Sequence, residues 1–112
     1  MLKRANRVVA AADFRSTVRS GRRVSTPHAL LYVARRAQDD VTRVGFIVSK
    51  GVGNAVTRNL VTRRLRAIGH DVVLTRPTGT DLVIRALPGS PGVSWTTLQS
   101  EILNGLERSA GR

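Results

Sequence analysis

The residues best suited to do chemistry in this chain are the arginines between positions 58 and 66. Arg58, Arg63, Arg64 and Arg66 lie there together with Asn59, and no acidic residue stands among them. Guanidinium groups form charge-assisted hydrogen bonds with phosphates. Because no carboxylate neutralises these charges, they repel one another until an anion binds. The cluster therefore predicts binding of a polyanion.

A helix over residues 55–69, ending at Gly69, would collect these arginines on one side. At 100° per residue, Arg58, Thr62 and Arg66 form a row along the predicted helix. The apolar side of the same helix consists of Val61, Leu65 and Ile68. One face is thus predicted to enter a hydrophobic core while the other meets the polyanion.

The turn before this helix adds a second anion-binding feature. Lys50 precedes a Gly-Val-Gly sequence, and Asn54 is the predicted N-cap of the helix. Free N–H groups and the positive end of the helix dipole favour a phosphate at such a position. A lone Gly-x-Gly is usually only a tight turn, so its value here comes from its place beside the arginines.

Catalytic groups are not apparent. The seven acidic residues are scattered, whereas a two-metal nuclease needs several that converge on ions about 4 Å apart. His28 and His70 lack the spacing of metal ligands, and Ser49 with Lys50 lacks a third catalytic partner. We therefore predict no catalytic residue and no protein metal site.

The net charge of +12 lies entirely in the first part of the chain. Residues 1–70 hold 15 Lys and Arg against three Asp, whereas residues 71–112 hold four Arg against four acidic residues. Such a lopsided distribution favours a nucleic-acid-binding face. The chain has no cysteine, and no apolar run approaches the roughly 20 residues of a membrane helix. We expect a cytoplasmic protein that does not act at a membrane.

The pattern of apolar and turn residues predicts one α+β domain over residues 1–112, with helices on one face of a sheet. The expected elements are a helix over 11–20, a short strand near 23–25, strands over 28–36 and 42–50, the helix over 55–69, a strand over 81–87 and a helix capped by Ser94. The strands over 28–36 and 42–50 are expected to form an antiparallel hairpin. Phe46 and Trp95 are predicted core residues, and Tyr32, with its polar tip, is a candidate to line a groove.

The stretch RVGFIVSKGVGNAVTRN, over residues 43–59, resembles the signature of the bacterial ribonuclease P protein component family. That family shows a Lys-Lys-x-Gly-Asn-Ala-Val-x-Arg-Asn-Arg run. The resemblance implies an α/β sandwich like the second domain of ribosomal protein S5, with a left-handed β-α-β crossover. It also implies a non-catalytic subunit that binds a large catalytic RNA, which removes the 5′ leader of precursor tRNA with Mg²⁺. No protein partner is expected.

The resemblance also implies two groups of binding residues. Those expected to face the catalytic RNA are Asn54, Arg58, Asn59, Arg63, Arg64 and Arg66. Those expected to line a cleft for the single-stranded leader, between the first helix and the sheet, are Phe14, Val18, Tyr32, Val48 and Lys50. The Mg²⁺ is expected to be held mainly by the RNA.

Four positions depart from the family pattern. Leu60 and Thr62 replace basic residues of the helix, Gly51 replaces the second lysine, and Val18 stands where an aromatic residue is common. These changes trim the basic face and reduce the expected stacking on the leader, and the candidates to compensate are Arg15, Arg19, Arg22 and Arg23.

Three alternatives share the same composition. A ribosome-associated or RNA-chaperone protein would bind RNA without stimulating cleavage. A stand-alone nuclease would cleave without an RNA partner, which the scattered carboxylates oppose. A DNA-compacting protein would bind duplex DNA equally well.

Overall fold

The computed structural model describes residues 2–110 and contains a four-stranded sheet with three α-helices. The elements are α1 (Ala11–Ser20), β1 (Arg22–Ser25), β2 (Ala29–Arg35), β3 (Arg43–Ile47), α2 (Ala55–Thr75), β4 (Thr80–Ala86) and α3 (Trp95–Ala110). The predicted α+β class and the order of elements are confirmed. None of the helices in this part of the chain is long and apolar enough to cross a bilayer.

The sheet has the strand order β1-β2-β4-β3, so the predicted hairpin between β2 and β3 is wrong. Strand β4 lies between them, antiparallel to β2 and parallel to β3. The reason is burial, since Leu82, Val83 and Ile84 are all fully buried and a strand with both faces covered belongs inside the sheet.

The short strand predicted near 23–25 is confirmed, and β1 pairs antiparallel with β2. Parallel β3 and β4 are joined through α2, and the hand of this crossover stays a prediction.

Helices cover both faces of the sheet, so the prediction of a one-sided arrangement is wrong. On one face, α3 approaches β2, where a Cβ atom added at Gly105 would lie 3.0 Å from Leu31 Cδ1. On the other face, Phe14 of α1 lies over β3, and a Cβ atom added at Gly45 would be 2.7 Å from its Cε1 atom. Neighbouring residues of a strand face opposite sides of the sheet. Phe14 of α1 lies on the side of Gly45, whereas Gly69 of α2 lies against Phe46, so the sheet separates α1 from α2.

Helix α2 continues for six residues past Gly69, which was the predicted end. A Cβ atom added at Gly69 would lie 3.0 Å from Phe46 Cζ. This glycine therefore permits close packing of the helix on β3, and it does not act as a C-cap. The apolar side continues through Val72, which is fully buried together with Val61 and Leu65. Burial of this longer side offsets the low helix propensity of glycine.

Candidate nucleic-acid interface

Helix α2 begins with the predicted cap. Asn54 has extended backbone angles, and its Oδ1 atom accepts a hydrogen bond of 2.9 Å from the Thr57 backbone N–H. Gly53 lies so close to the first turn that an added Cβ atom would be 2.7 Å from Thr57 Cγ2. Lys50 is exposed in the 3-10 turn Lys50–Val52, just before the helix. The local sequence thus fixes where α2 starts and places an exposed lysine just before it.

The arginines of α2 divide into two groups. Arg63 and Arg66 are exposed, as is Asn59, and neither arginine has an ion-pair partner within residues 2–110. Arg58 is half-buried, and its Nε atom is shielded from solvent with no hydrogen-bond partner among the described residues. Arg64 turns away, since its Nη1 atom donates to the Val93 carbonyl at 3.3 Å. The exposed basic surface is therefore centred on Arg63 and Arg66.

The departures from the family pattern change this surface only at its edges. Leu60 is 36% exposed and leaves an apolar spot on the helix. Thr62 donates its hydroxyl to the Arg58 carbonyl at 2.8 Å, so it serves the helix backbone.

Replacing Asn54 separates its capping role from its expected RNA contact. Asn54→Asp keeps an oxygen acceptor for the Thr57 N–H but removes the amide donor and adds a negative charge. We expect this variant to unfold at the same urea concentration while losing several-fold in RNA affinity. Asn54→Ala should lose about 1 kcal/mol of unfolding free energy, the typical value for an N-cap. Equal RNA affinity for Asn54→Asp and the unchanged protein would contradict the RNA contact.

A second candidate surface lies on the face of the sheet that carries α1. Register places Arg23, Tyr32, Val83 and Gly45 in one row across the four strands. Phe14 lies over the Gly45 end of this row and is half-buried. Tyr32 is 9% exposed, so little of its side chain is available to a nucleotide.

The next row forms the open part of this cleft. It contains Leu30, Arg85 and Ile47, which are neighbours across β2, β4 and β3 and are all half-buried. The Nε atom of Arg85 is shielded from solvent and has no hydrogen-bond partner in the described part of the chain. The sequence pointed to Arg23 as a compensating residue, and it lies beside Tyr32 in the sheet, but the sequence reasoning missed Arg85. The signal was available in the two-residue period of β4, which places Asp81, Val83 and Arg85 on one face.

The predicted cleft residues are only partly brought together. Phe14 and Val18 lie one helical turn apart on α1, and both are half-buried. Val48 does not join this face, because it packs against the hydrophobic core. Ile47 faces the cleft instead, because it lies two residues from Gly45 and therefore on the same side of β3. Lys50 follows the open end of the cleft and lies between it and α2.

An ion-pair network closes the other end of the cleft. Arg43 donates to both carboxylate oxygens of Asp81, at 2.9 and 2.8 Å, and to Asp13 of α1 at 3.2 Å. Arg36 adds a longer contact of 3.5 Å to Asp81. The hydrogen bond to Asp81 raises the pKa of Arg43 above its ordinary value, against the opposing effect of burial. The network ties α1 to β3 and β4 next to Phe14.

The residue types on these surfaces do not suit a resident metal ion. Within residues 2–110, no three His, Cys, Asp or Glu side chains converge as a metal site would require. The two surfaces carry positive charge that can neutralise phosphates and aromatic or apolar side chains that can contact bases.

Comparison with known proteins gives a consistent result. The model of the family described as Ribonuclease P matches residues 2–110. The Ribonuclease P protein component of Clavibacter michiganensis is 49% identical over 109 residues, covering 97% of this chain and 96% of that protein. The protein of the same name from Pseudarthrobacter chlorophenolicus is 46% identical over 112 residues, covering 100% and 82%. The solved RNase P protein of Staphylococcus aureus superposes with a TM-score of 0.82 at 25% identity, covering 95% of this chain and 96% of that one.

Proposed function

The chain belongs to the ribonuclease P protein family, and from this membership we propose how its two surfaces serve that enzyme. As the protein subunit of ribonuclease P, it associates with the RNA of that enzyme, which cleaves precursor tRNA. We propose that α2 contacts the catalytic RNA and that the cleft beneath α1 contacts the 5′ leader. The ribosome-associated and RNA-chaperone alternatives receive no support from the comparisons.

The observation that carries this proposal is the acid-free arginine surface of α2. Arg63 and Arg66 are exposed and free of ion-pair partners within residues 2–110, so their guanidinium groups are available to phosphates. Neutralising phosphates releases condensed counterions, which makes binding strongly salt-dependent. The protein thereby lowers the repulsion between the catalytic RNA and its substrate, which is also a polyanion.

The cleft would distinguish the precursor from the mature tRNA. Only the precursor carries a 5′ extension, so contacts of the leader with Phe14, Val18 and Arg85 favour substrate over product. A base stacked on an aromatic side chain contributes roughly 1–3 kcal/mol. Because Tyr32 is largely covered, its expected contribution is smaller than that of Phe14. Lys50, between the two surfaces, is proposed to contact a phosphate near the point where leader and RNA meet.

The hydrolytic chemistry is proposed to belong to the RNA. The scattered acidic residues do not suit Mg²⁺ binding by the protein, so the ion is expected at phosphate oxygens of the RNA. The chain's own residues bind and orient the two RNA molecules and leave the activation of water to their partner.

A reconstitution experiment tests the proposed function. The purified protein is mixed with a bacterial ribonuclease P RNA and 5′-labelled precursor tRNA, at Mg²⁺ concentrations where the RNA alone cleaves poorly. We expect release of the leader at one site only when both macromolecules are present.

Two other outcomes would contradict the proposal. Cleavage by the protein alone would mean that it contains an active site. Tight RNA binding without any stimulation would favour a general RNA-binding protein. Competition with duplex DNA distinguishes the DNA-compacting alternative, which predicts comparable affinity for that polymer.

A further inference from the structure

A groove of about 540 Å³ crosses the outer side of α2, next to the exposed arginines. Its lining includes Arg63, Arg66, Ala67 and His70 of α2, together with Trp95 at the start of α3. On the opposite side, the N-terminal segment contributes Arg7, whose guanidinium donates to the Leu2 carbonyl at 3.1 and 2.9 Å. The small side chain of Ala67 leaves space between these two walls. The groove is therefore part of the surface proposed to meet RNA.

The groove combines three kinds of chemistry. Arg63 and Arg66 supply exposed positive charge suited to a phosphate. Trp95 is half-buried, so part of its indole packs on the core while another part lines the groove. Asp71 adds a carboxylate, whose Oδ2 atom accepts a hydrogen bond from Gln99. An aromatic ring and a carboxylate beside two arginines do not match a bare phosphate chain, which the carboxylate would repel.

We propose that this groove holds one unpaired nucleotide of the RNA partner. Its phosphate lies between Arg63 and Arg66, and its base stacks on Trp95. A volume of about 540 Å³ lies within the usual 300–1,000 Å³ range of small-ligand sites. The Oδ1 atom of Asp71 accepts a hydrogen bond from an exocyclic amino group, so adenine, guanine and cytosine are preferred to uracil. This inference rests on the proposed function, because it requires α2 to face RNA.

The competing interpretation is that Trp95 serves only to close the hydrophobic core. Under that interpretation α2 binds phosphates alone, and any polyanion of similar charge density would occupy it in the same way. The two interpretations therefore differ in whether the ligand must carry bases.

Fluorescence distinguishes these interpretations, because Trp95 is the chain's single tryptophan. The protein is titrated with a bacterial ribonuclease P RNA and, separately, with inorganic polyphosphate as a polyanion without bases. Binding of each is followed independently by fluorescence anisotropy of a dye on the polymer. We expect strong quenching of Trp95 by the RNA and little change at saturating polyphosphate.

Three results would overturn the proposal. Equal changes in Trp95 emission with both polymers would show that the charge of the polymer alone causes them. Saturated RNA binding without quenching would show that no base stacks on Trp95, while the proposed function would still stand. Absence of RNA binding would overturn both the nucleotide site and the function on which it rests.

A groove-filling substitution tests the site without disturbing the core. Ala67 is exposed, and leucine is a good helix former, so Ala67→Leu should fold normally. We expect it to abolish the quenching and to weaken RNA binding by roughly 5- to 100-fold, the equivalent of one stacked base.

The matched control is Ser100→Leu, which adds the same side chain to an exposed position of α3 outside the groove. It should change neither quenching nor affinity. Unaltered RNA affinity and quenching in Ala67→Leu would overturn the proposal.

Discussion

Replacing Arg63 and Arg66 together with alanine is expected to weaken binding of ribonuclease P RNA by about 10- to 100-fold near 0.1 M salt. Both side chains are exposed and lack an ion-pair partner in the described part of the chain, so neither needs to leave another contact before it meets a phosphate. Hydrogen bonds to charged groups contribute about 1.5–3 kcal/mol in protected surroundings, and less where solvent screens them. The measurement is RNA affinity over a series of salt concentrations.

The salt dependence carries more information than the affinity at one concentration. Loss of two phosphate contacts should lower the slope of log affinity against log salt by about two. Arg108→Ala removes the same kind of charge from α3, where Arg108 donates to the Ser25 carbonyl of β1, at the sheet edge opposite β3. Its slope should remain unchanged. If the double variant retained the original slope, α2 would not be the RNA-binding helix.

Arg64→Ala is a further comparison on the same helix. The guanidinium of Arg64 is engaged with the Val93 carbonyl, although its position in the sequence suggested an RNA contact. We expect a smaller loss of affinity than for either exposed arginine. A helical wheel assigns directions to side chains, but long arginines can bend toward a neighbouring carbonyl that only tertiary structure supplies.

The helix boundaries that depend on local chemistry were predictable from the sequence. The cap at Asn54 is recognised by its side-chain oxygen and by the polar turn before it, and the hydrogen bond to Thr57 confirms it. Ser94 behaves in the same way, since its Oγ atom accepts from the Thr97 N–H at 3.1 Å. Such contacts span three residues and need no knowledge of the rest of the fold.

Features that depend on distant contacts were not predictable. Gly69 carries the usual signal of a helix end, yet here it allows α2 to approach Phe46. The position of β4 between β2 and β3 follows from burial on both of its faces, which its apolar sequence permits but does not require. Val48 and Ile47 are both apolar, so only the register of β3 decides which of them faces the cleft. One residue of register changes the face entirely.

Arg43→Met is expected to be the most destabilising of the substitutions considered. The Asp81 side chain is 11% exposed, and Arg43 supplies both of its short hydrogen bonds. Methionine retains much of the aliphatic length but, among the described residues, leaves Asp81 with only the 3.5 Å contact to Arg36. Removing one member of a buried ion pair costs about 3–5 kcal/mol, and the remaining contact should reduce this to about 2–4 kcal/mol. Urea unfolding measures the change, provided that the slope with denaturant is unchanged.

Asp13→Asn isolates the part of the network that holds α1. The Asp13 side chain is 41% exposed, so loss of its pairing with Arg43 should reduce the free energy of unfolding by less than about 1 kcal/mol. Because Phe14 is the next residue, freeing this end of α1 should loosen the cleft without affecting α2. We expect unchanged affinity for ribonuclease P RNA but a several-fold smaller preference for precursor over mature tRNA. An unaltered preference would mean that the ion pair stabilises the fold without positioning the cleft, and the contacts of Phe14 with the sheet alone would then hold α1 in place.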